Sequence, residues 1–212
     1  MKMKKVFALL LALVMLAAAG TACAETLAFE PGTPSVCTPE MFKLYFALIA
    51  GQSGYNFTWE DEIGTDGSYA VYTGHSEDGL MSLNIYALDG FVVYSEAVGT
   101  ASIADSEGAR KFGEWFGAAV GGSVIAFYIG ENGAESLDAS VTNQFTNDLM
   151  GLVAFLQNGS TTDEQLAEGM VYTTTCLDYP TGMEISGSAD GSGVTMALRI
   201  LVSTKDGQMS IK

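Results

Sequence analysis

The residues of this chain that could do chemistry are few: one histidine, two isolated cysteines after the opening segment, and some clustered carboxylates. His75 is the sole candidate for a side-chain base near neutral pH. A hydrolase would need a nucleophile beside it, yet there is no G-x-S-x-G elbow and no Cys-His pairing in sequence. His75 precedes a turn rich in Ser, Glu and Asp and reads as a surface turn residue. Acid–base work by carboxylates needs two of them poised across a cleft. Glu60, Asp61 and Glu62 are clustered, but alternation puts Glu60 and Glu62 on one exposed side of a strand end. Asp61 and Asp66 lack the spacing of an EF-hand loop, and Asp190-Gly-Ser-Gly offers too few ligands, so no metal site is expected. The glycines of 117–122 lack the Lys-Ser/Thr ending of a phosphate loop. No cofactor is expected and no catalytic residue is assigned.

Cys37 and Cys176 are far apart in sequence and unsuited to a metal site. Export would permit a disulfide between them. Closing so long a loop would stabilise the fold by ~4–5 kcal/mol in the chain-entropy picture. The expectation is a Cys37–Cys176 bond, with two separate buried thiols as the alternative. The third cysteine, Cys23, belongs to the opening segment. Lys2, Lys4 and Lys5 precede an apolar run, and Ala22-Cys23-Ala24 stands before Glu25, so residues 1–24 read as a signal peptide. Cleavage after Ala24 would release a soluble secreted protein. Acylation of Cys23 would instead make a surface lipoprotein, although Gly20 stands where such signals usually carry Leu.

The 212-residue chain has a net charge of −16, and removing the three leader lysines takes it from −16 to −19. That field repels nucleic acid and anionic lipid, favours solubility and would attract cationic partners. Charged residues make up only 16% and hydrophobic ones 48%. A chain so poor in charge and rich in apolar side chains should fold.

The elements that must position these residues follow from periodicity. Residues 25–38 carry Pro31 and Pro34 and read as an extended lead-in. Thr38 caps a helix with Pro39 at its first position and Met41, Leu44, Tyr45, Leu48 and Ile49 on its apolar face. Four alternating strands follow between Tyr55 and Ala97, with Asp78-Gly79 and Asp89-Gly90 as hairpin turns. The stretch from Ser102 to Gly130 has helical spacing through Phe112, Trp115, Phe116, Ala119, Val120, Ser123 and Phe127. Gly113, Gly117 and Gly121 line its other side, which implies close packing there. The rival reading breaks the helix at Gly121-Gly122 and makes Ser123–Ile129 a buried strand. Only Trp115–Ile129 is free of charge, too short for a membrane span of ~20 residues. Val141, Phe145, Leu149, Leu152, Val153 and Leu156 mark another helix, stopped at Asn158-Gly159. Three strands then run over 170–177, 183–187 and 194–202, with turns at Pro180-Thr181-Gly182 and 190–193 and a short return or frayed end after Ser203.

The fold class is α+β: antiparallel sheet covered by helices, read as two similar helix-plus-meander units. Residues 39–130 form the first unit with the central segment, and 131–212 the second. Aromatic residues crowd the first meander. Tyr72 and Tyr86 are out of phase with Val71 and Ile85, so some rings should leave the core face. Trp59, Tyr72, Tyr86 and Tyr94 are the candidate partner-binding residues, unless a loop or the lead-in covers them. The leading expectation is an acidic, non-catalytic binding module of the cell envelope or exterior, recognising a protein or carbohydrate. A hydrolase using His75 or a carboxylate pair is the second class, and a structural accessory of an envelope assembly the third.

Overall fold

The computed structural model describes residues 25–103, 106–158, 167–190 and 193–212. The expected leader with Cys23, most of the helical turn expected over 161–169 and the centre of the turn expected at 190–193 lie outside them.

Helix α1 (Pro39–Gln52) starts as its sequence dictates. Thr38 is extended and its Oγ1 accepts the Met41 N–H at 3.3 Å. Pro39 and Glu40 occupy the first turn, as capping preferences require. The buried face differs from expectation. Phe42, Phe46 and Ala50 are fully buried, whereas Leu44 and Leu48 are each 57% exposed. Strands β2 (Phe57–Trp59), β3 (Gly64–Asp66), β4 (Tyr69–Ser76), β5 (Met81–Leu88) and β6 (Phe91–Ile103) follow. The β5–β6 turn has positive φ at both Asp89 (53°) and Gly90 (85°). That geometry suits the twist of a tight hairpin.

The central segment is one unbroken helical run. Helix α2 (Ser106–Phe116) passes through a π turn at Gly117–Gly121 into α3 (Gly122–Asn132), which ends at Gly133 with φ +83°. The π turn inserts a residue into the helical repeat and re-phases the faces on either side. The tightest approaches therefore fall at Gly122 and Gly130 and not along the expected ridge. A Cβ on Gly122 would stand 2.6 Å from the Phe46 ring, and one on Gly130 would overlap Cys37. Gly117 and Gly121 meet their nearest neighbours only at ordinary contact, 3.5 Å from Ser53 and 3.6 Å from Phe145.

Helix α4 (Ala139–Asn158) begins beneath Asp138, whose Oδ1 accepts the Ser140 and Val141 N–H groups at 2.8 and 2.9 Å. Such a cap satisfies donors that the first helical turn leaves unpaired. Strands β7 (Met170–Cys176), β8 (Tyr179–Asp190) and β9 (Gly193–Ser203) form the second meander. It turns at Leu177-Asp178, both at positive φ, so Pro180 lies within β8, opposite Thr175, and is not a turn residue. The chain closes with β10 (Gln208–Ile211), which pairs with β1 (Leu27–Glu30) of the lead-in. The supposed linker and frayed end are thus one two-stranded ribbon.

The fold is α+β with one large antiparallel sheet. Its eight strands run β2-β4-β5-β6-β9-β8-β7, with β3 also on β4. The two meanders join edge to edge along β6 and β9. Beneath the helices, Gly74, Leu83, Ala97, Ile200 and Met183 form one continuous row across five strands. Large rings stand on small residues of this side: Trp59 on Gly74, and Trp115 on Gly99, which pairs with Met81 and Leu198. Phe46 bridges this layer to α1 with edge-on contacts to Phe57 and Trp59. Full burial of such a ring stabilises by about 1.5–3 kcal/mol.

Cys37 and Cys176 are free thiols, each fully buried, and the expected disulfide is not formed. They occupy separate niches. Cys37 Sγ lies against Gly130, with Ala126 O at 3.9 Å. Cys176 ends β7, next to Leu177, whose N–H donates to Asp148 of α4 at 2.9 Å. Burial pushes the Cys37 thiol up to about 12 and Cys176 to about 11. Such thiols are inert and pack as small apolar groups.

Candidate functional site

The other side of the sheet carries different chemistry. Strand pleating turns every second residue away from the helices. One row across that side reads His75, Ser82, Val98, Arg199 and Glu184. The next reads Thr73, Asn84, Glu96, Leu201 and Gly182, and the third Val71, Tyr86, Tyr94 and Ser203.

The β1–β10 ribbon covers part of this face. Leu27 and Met209 sit over Gly182, where a Cβ would stand 2.7 and 2.8 Å from them. Phe29 meets Tyr94 edge-on, with ring centroids 4.9 Å apart. Beneath it Tyr86 stacks on Tyr94 at 4.1 Å and 11°, and Tyr69 packs edge-on against both. The ribbon is held at its far end by Asp206, which accepts the Thr33 N–H at 3.0 Å and its hydroxyl at 2.7 Å. The Thr33 hydroxyl is the chief cause that draws the Asp206 carboxyl below its usual range.

At the ribbon's margin the polar groups form a connected chain. Tyr86 donates its hydroxyl to Glu96 at 3.0 Å. Arg199 donates to Glu96 at 2.5 Å and to Glu184 at 2.8 Å. Glu184 also accepts the Leu27 N–H at 3.0 Å, which ties the network to the ribbon. Burial works against the Arg199 charge, but its bonds to Glu184 and Glu96 outweigh that and hold the guanidinium above its ordinary value. Burial first, then Glu96, pushes the Tyr86 hydroxyl up to about 12.

Beyond this network the face is open. Val98 is 43% exposed, and His75, Thr100, Thr195, Ala197 and Ser186 are also exposed. A shallow groove of about 300 Å³ runs beside Val98, Ala197 and Arg199, with Glu25, Glu168 and Glu184 along it. At the opposite end, His75 Nδ1 lies 2.9 Å from Ser82 Oγ and Nε2 lies 2.9 Å from Glu60 Oε1. This has the order of a Ser-His-carboxylate relay. Its setting is unlike one. The His75 and Glu60 side chains are about half exposed on a flat strand surface. Strand β5 is paired on both sides and the Met81 N–H beside Ser82 donates to Ser76 Oγ at 2.9 Å, so these groups do not converge on an oxyanion position.

The four candidate aromatics do not share one surface. Trp59 and Tyr72 lie on the helix side at the sheet's margin, where the Lys43 ammonium caps both rings at 5.3 and 4.4 Å. A cation over a ring face is attracted by its quadrupole. Tyr86 and Tyr94 lie on the other side under the ribbon. The hydrogen bonds that join His75 to Ser82 and Glu60, and the Glu96–Arg199–Glu184 network, were not anticipated. Alternation in β4 and β5 could have placed His75 and Ser82 on one face once the hairpin register was known. The long-range seam that brings Arg199 to Glu96 has no local signal.

Among the described residues no group of three or more His, Cys, Asp or Glu side chains is placed to hold a metal ion. One helical run, Arg110–Asn132, is long and apolar enough to cross a membrane, and it is mostly buried inside the fold. No protein-family model matches the chain, and neither a curated protein nor a solved structure does so.

Proposed function

We propose that this chain is an exported, non-catalytic binding protein, and that the uncovered part of the sheet face around Val98 and Arg199 receives its partner. The observation that carries this reading is the exposed patch from His75 through Val98 to Ala197, on a sheet whose other side is packed under helices. An apolar centre at Val98 with a rim of hydrogen-bonding side chains has the composition of a protein interface. The candidate rings Trp59, Tyr72, Tyr86 and Tyr94 are half-buried or buried, so stacking on sugar rings is poorly served there, and of the two partner classes a protein is favoured. Glu25, Glu168 and Glu184, together with the net charge of −16, favour a cationic surface on it. The leader supports export, with the mature chain secreted or tethered through Cys23. Two units of similar order belong to the same reading: α1 with β2–β6 and the central helix as one, α4 with β7–β9 as the other. The seam between them then runs through the centre of the binding face.

The test is capture from an envelope fraction by the immobilised mature protein. Val98→Asp should lower capture about tenfold or more, as a central contact does, while Leu44→Asp on α1 leaves it unchanged. Equal capture by wild type and Val98→Asp would remove the reading.

The arrangement of Glu60, His75 and Ser82 supports a second reading, a small hydrolase. It predicts that a fluorophosphonate labels Ser82 and that Ser82→Ala abolishes labelling. Absence of labelling at Ser82 would exclude a serine nucleophile there.

A further inference from the structure

Helix α1 turns Phe42, Phe46 and Ala50 into the core, and its opposite side carries Leu44, Ala47, Leu48 and Gly51. These four recur at three- and four-residue steps, so they form one stripe along the helix. All four are exposed. Beside them Tyr45 and Ile49 are half-buried, and Ile49 meets Phe145 of α4 over Gly121, so the apolar surface continues onto α4. A contiguous exposed patch of this kind marks an interaction site. Two observations select its occupant. The first is charge. From Leu44 to Ser53 the chain carries no charged residue, in a protein of net charge −16. Two copies repel each other over most of their surface and least along this stripe. A cationic partner gains nothing from it. Lys43 is turned aside over the Trp59 and Tyr72 rings, and Glu40, the one charge on the exposed side of the helix, stands in its first turn. The second is shape. Large and small residues alternate along the stripe: Leu44, Ala47, Leu48, Gly51. A two-fold axis crossing α1 between Ala47 and Leu48 sets two such helices antiparallel. It places Leu44 opposite Gly51 of the second copy and Leu48 opposite its Ala47, and symmetry repeats both contacts. A Cβ on Gly51 would meet nothing within 4 Å, so the notch is open to an incoming leucine. Glu40 then falls at the level of Tyr55 of the second copy, near Glu107, Arg110, Lys111 and Glu114, where two bases offset two acids.

We infer that the outer stripe of α1 is a homodimer interface, on which a second copy of this chain lays its own α1 antiparallel. A helix of this length is about 21 Å long and about 10 Å across. The pair therefore covers less than the ~800 Å² per partner of a standard interface. The dimer is a weak one, dissociating in the micromolar range or above. It is independent of the partner surface proposed above, which lies on the other side of the sheet and stays open in each copy.

The experiment is sedimentation equilibrium of the mature protein from low micromolar to millimolar concentration. A reversible monomer–dimer equilibrium is expected. Leu48→Glu should weaken it at least tenfold, while Val98→Asp on the sheet face should dimerise as wild type does. Gly51→Leu is the sharper variant. Leu is a better helix former than Gly, so the melting temperature should not fall, yet the filled notch should weaken the dimer at least tenfold. Oxidation of a Leu44→Cys, Gly51→Cys double variant should give a covalent dimer. Leu44→Cys alone should not, because the two copies of residue 44 stand about 10 Å apart along the helices. A monomer at every concentration, or wild-type dimerisation by Leu48→Glu, would overturn the interface. Tighter association of Gly51→Leu, or cross-linking by Leu44→Cys alone, would overturn the pairing of large residues on small.

Discussion

The two faces of the central sheet share the same strands and register, yet they are held by different forces. Under the helices the rows are apolar and closed by rings seated on Gly74 and Gly99, where an added Cβ would meet a ring. On the far side the ribbon closes one half through three tyrosines, Phe29 and an ion network, and leaves the other half to solvent. A sheet built this way can expose one face without endangering its core, because the alternation that buries Leu83 and Ile200 also turns Ser82 and Arg199 outward. The far side is therefore where substitution should alter recognition more than stability.

Substitutions on the two sides give the sharpest contrast. Phe46→Ala empties the junction of α1, α3 and the sheet. It should cost about 3–5 kcal/mol in denaturant unfolding. Val98→Asp on the open face should stay within about 0.5 kcal/mol. Comparable losses at the two positions would mean that the far face is also part of the core. The thiols come next. Cys37→Ser or Cys176→Ser buries a hydroxyl in a niche closed to solvent. Each should cost about 1–3 kcal/mol. Both thiols should resist a thiol reagent in the native state and react after unfolding, with no mass change on reduction. Their raised values mean that any stability they confer holds below the ordinary thiol range and is lost as pH rises towards 11–12.

Arg199→Met tests the ribbon's margin. Glu96 and Glu184 would lose their common partner. Unfolding should become easier by about 1–2 kcal/mol, the scale of a hydrogen bond to a charged group. A neutral result would show that the network only decorates the surface. Asp206 gives the smallest effect. Its depressed carboxyl stabilises the fold above the ordinary carboxylate range, and that contribution disappears as pH falls through its folded value. Wild type and Asp206→Asn should therefore differ by less than about 1 kcal/mol near neutrality and converge at acid pH.

Much of the fold was legible because local rules were explicit. Thr38-Pro39, Asp78-Gly79 and Asp89-Gly90 announce a helix start and two hairpins, and strand alternation separated the two faces of β4 and β5. The errors have physical causes. Helix α1 is apolar around most of its circumference, so its periodicity could not choose between Leu44 and Phe46. The choice was made by Gly122 and Gly130 of α3, which offer space for Phe46 and Cys37. The π turn displaced the glycine contacts, and a single inserted residue leaves no trace in composition. The prolines of the lead-in masked a short strand whose partner lies at the other end of the chain. The disulfide expectation failed because sequence separation says nothing about distance between two buried thiols. Of the candidate site, the strands were legible and the aromatic stripe was not: the four chosen rings divide between the two faces.

Hydroxyl-radical footprinting of the mature protein, alone and in the presence of solubilised envelope proteins, tests the open face most directly. Protection is predicted at His75 and Val98, with Leu44 and Leu48 on α1 labelled equally in both samples. Protection confined to Leu44 and Leu48, with His75 and Val98 unchanged, would contradict the assignment and move the partner surface to the helical side.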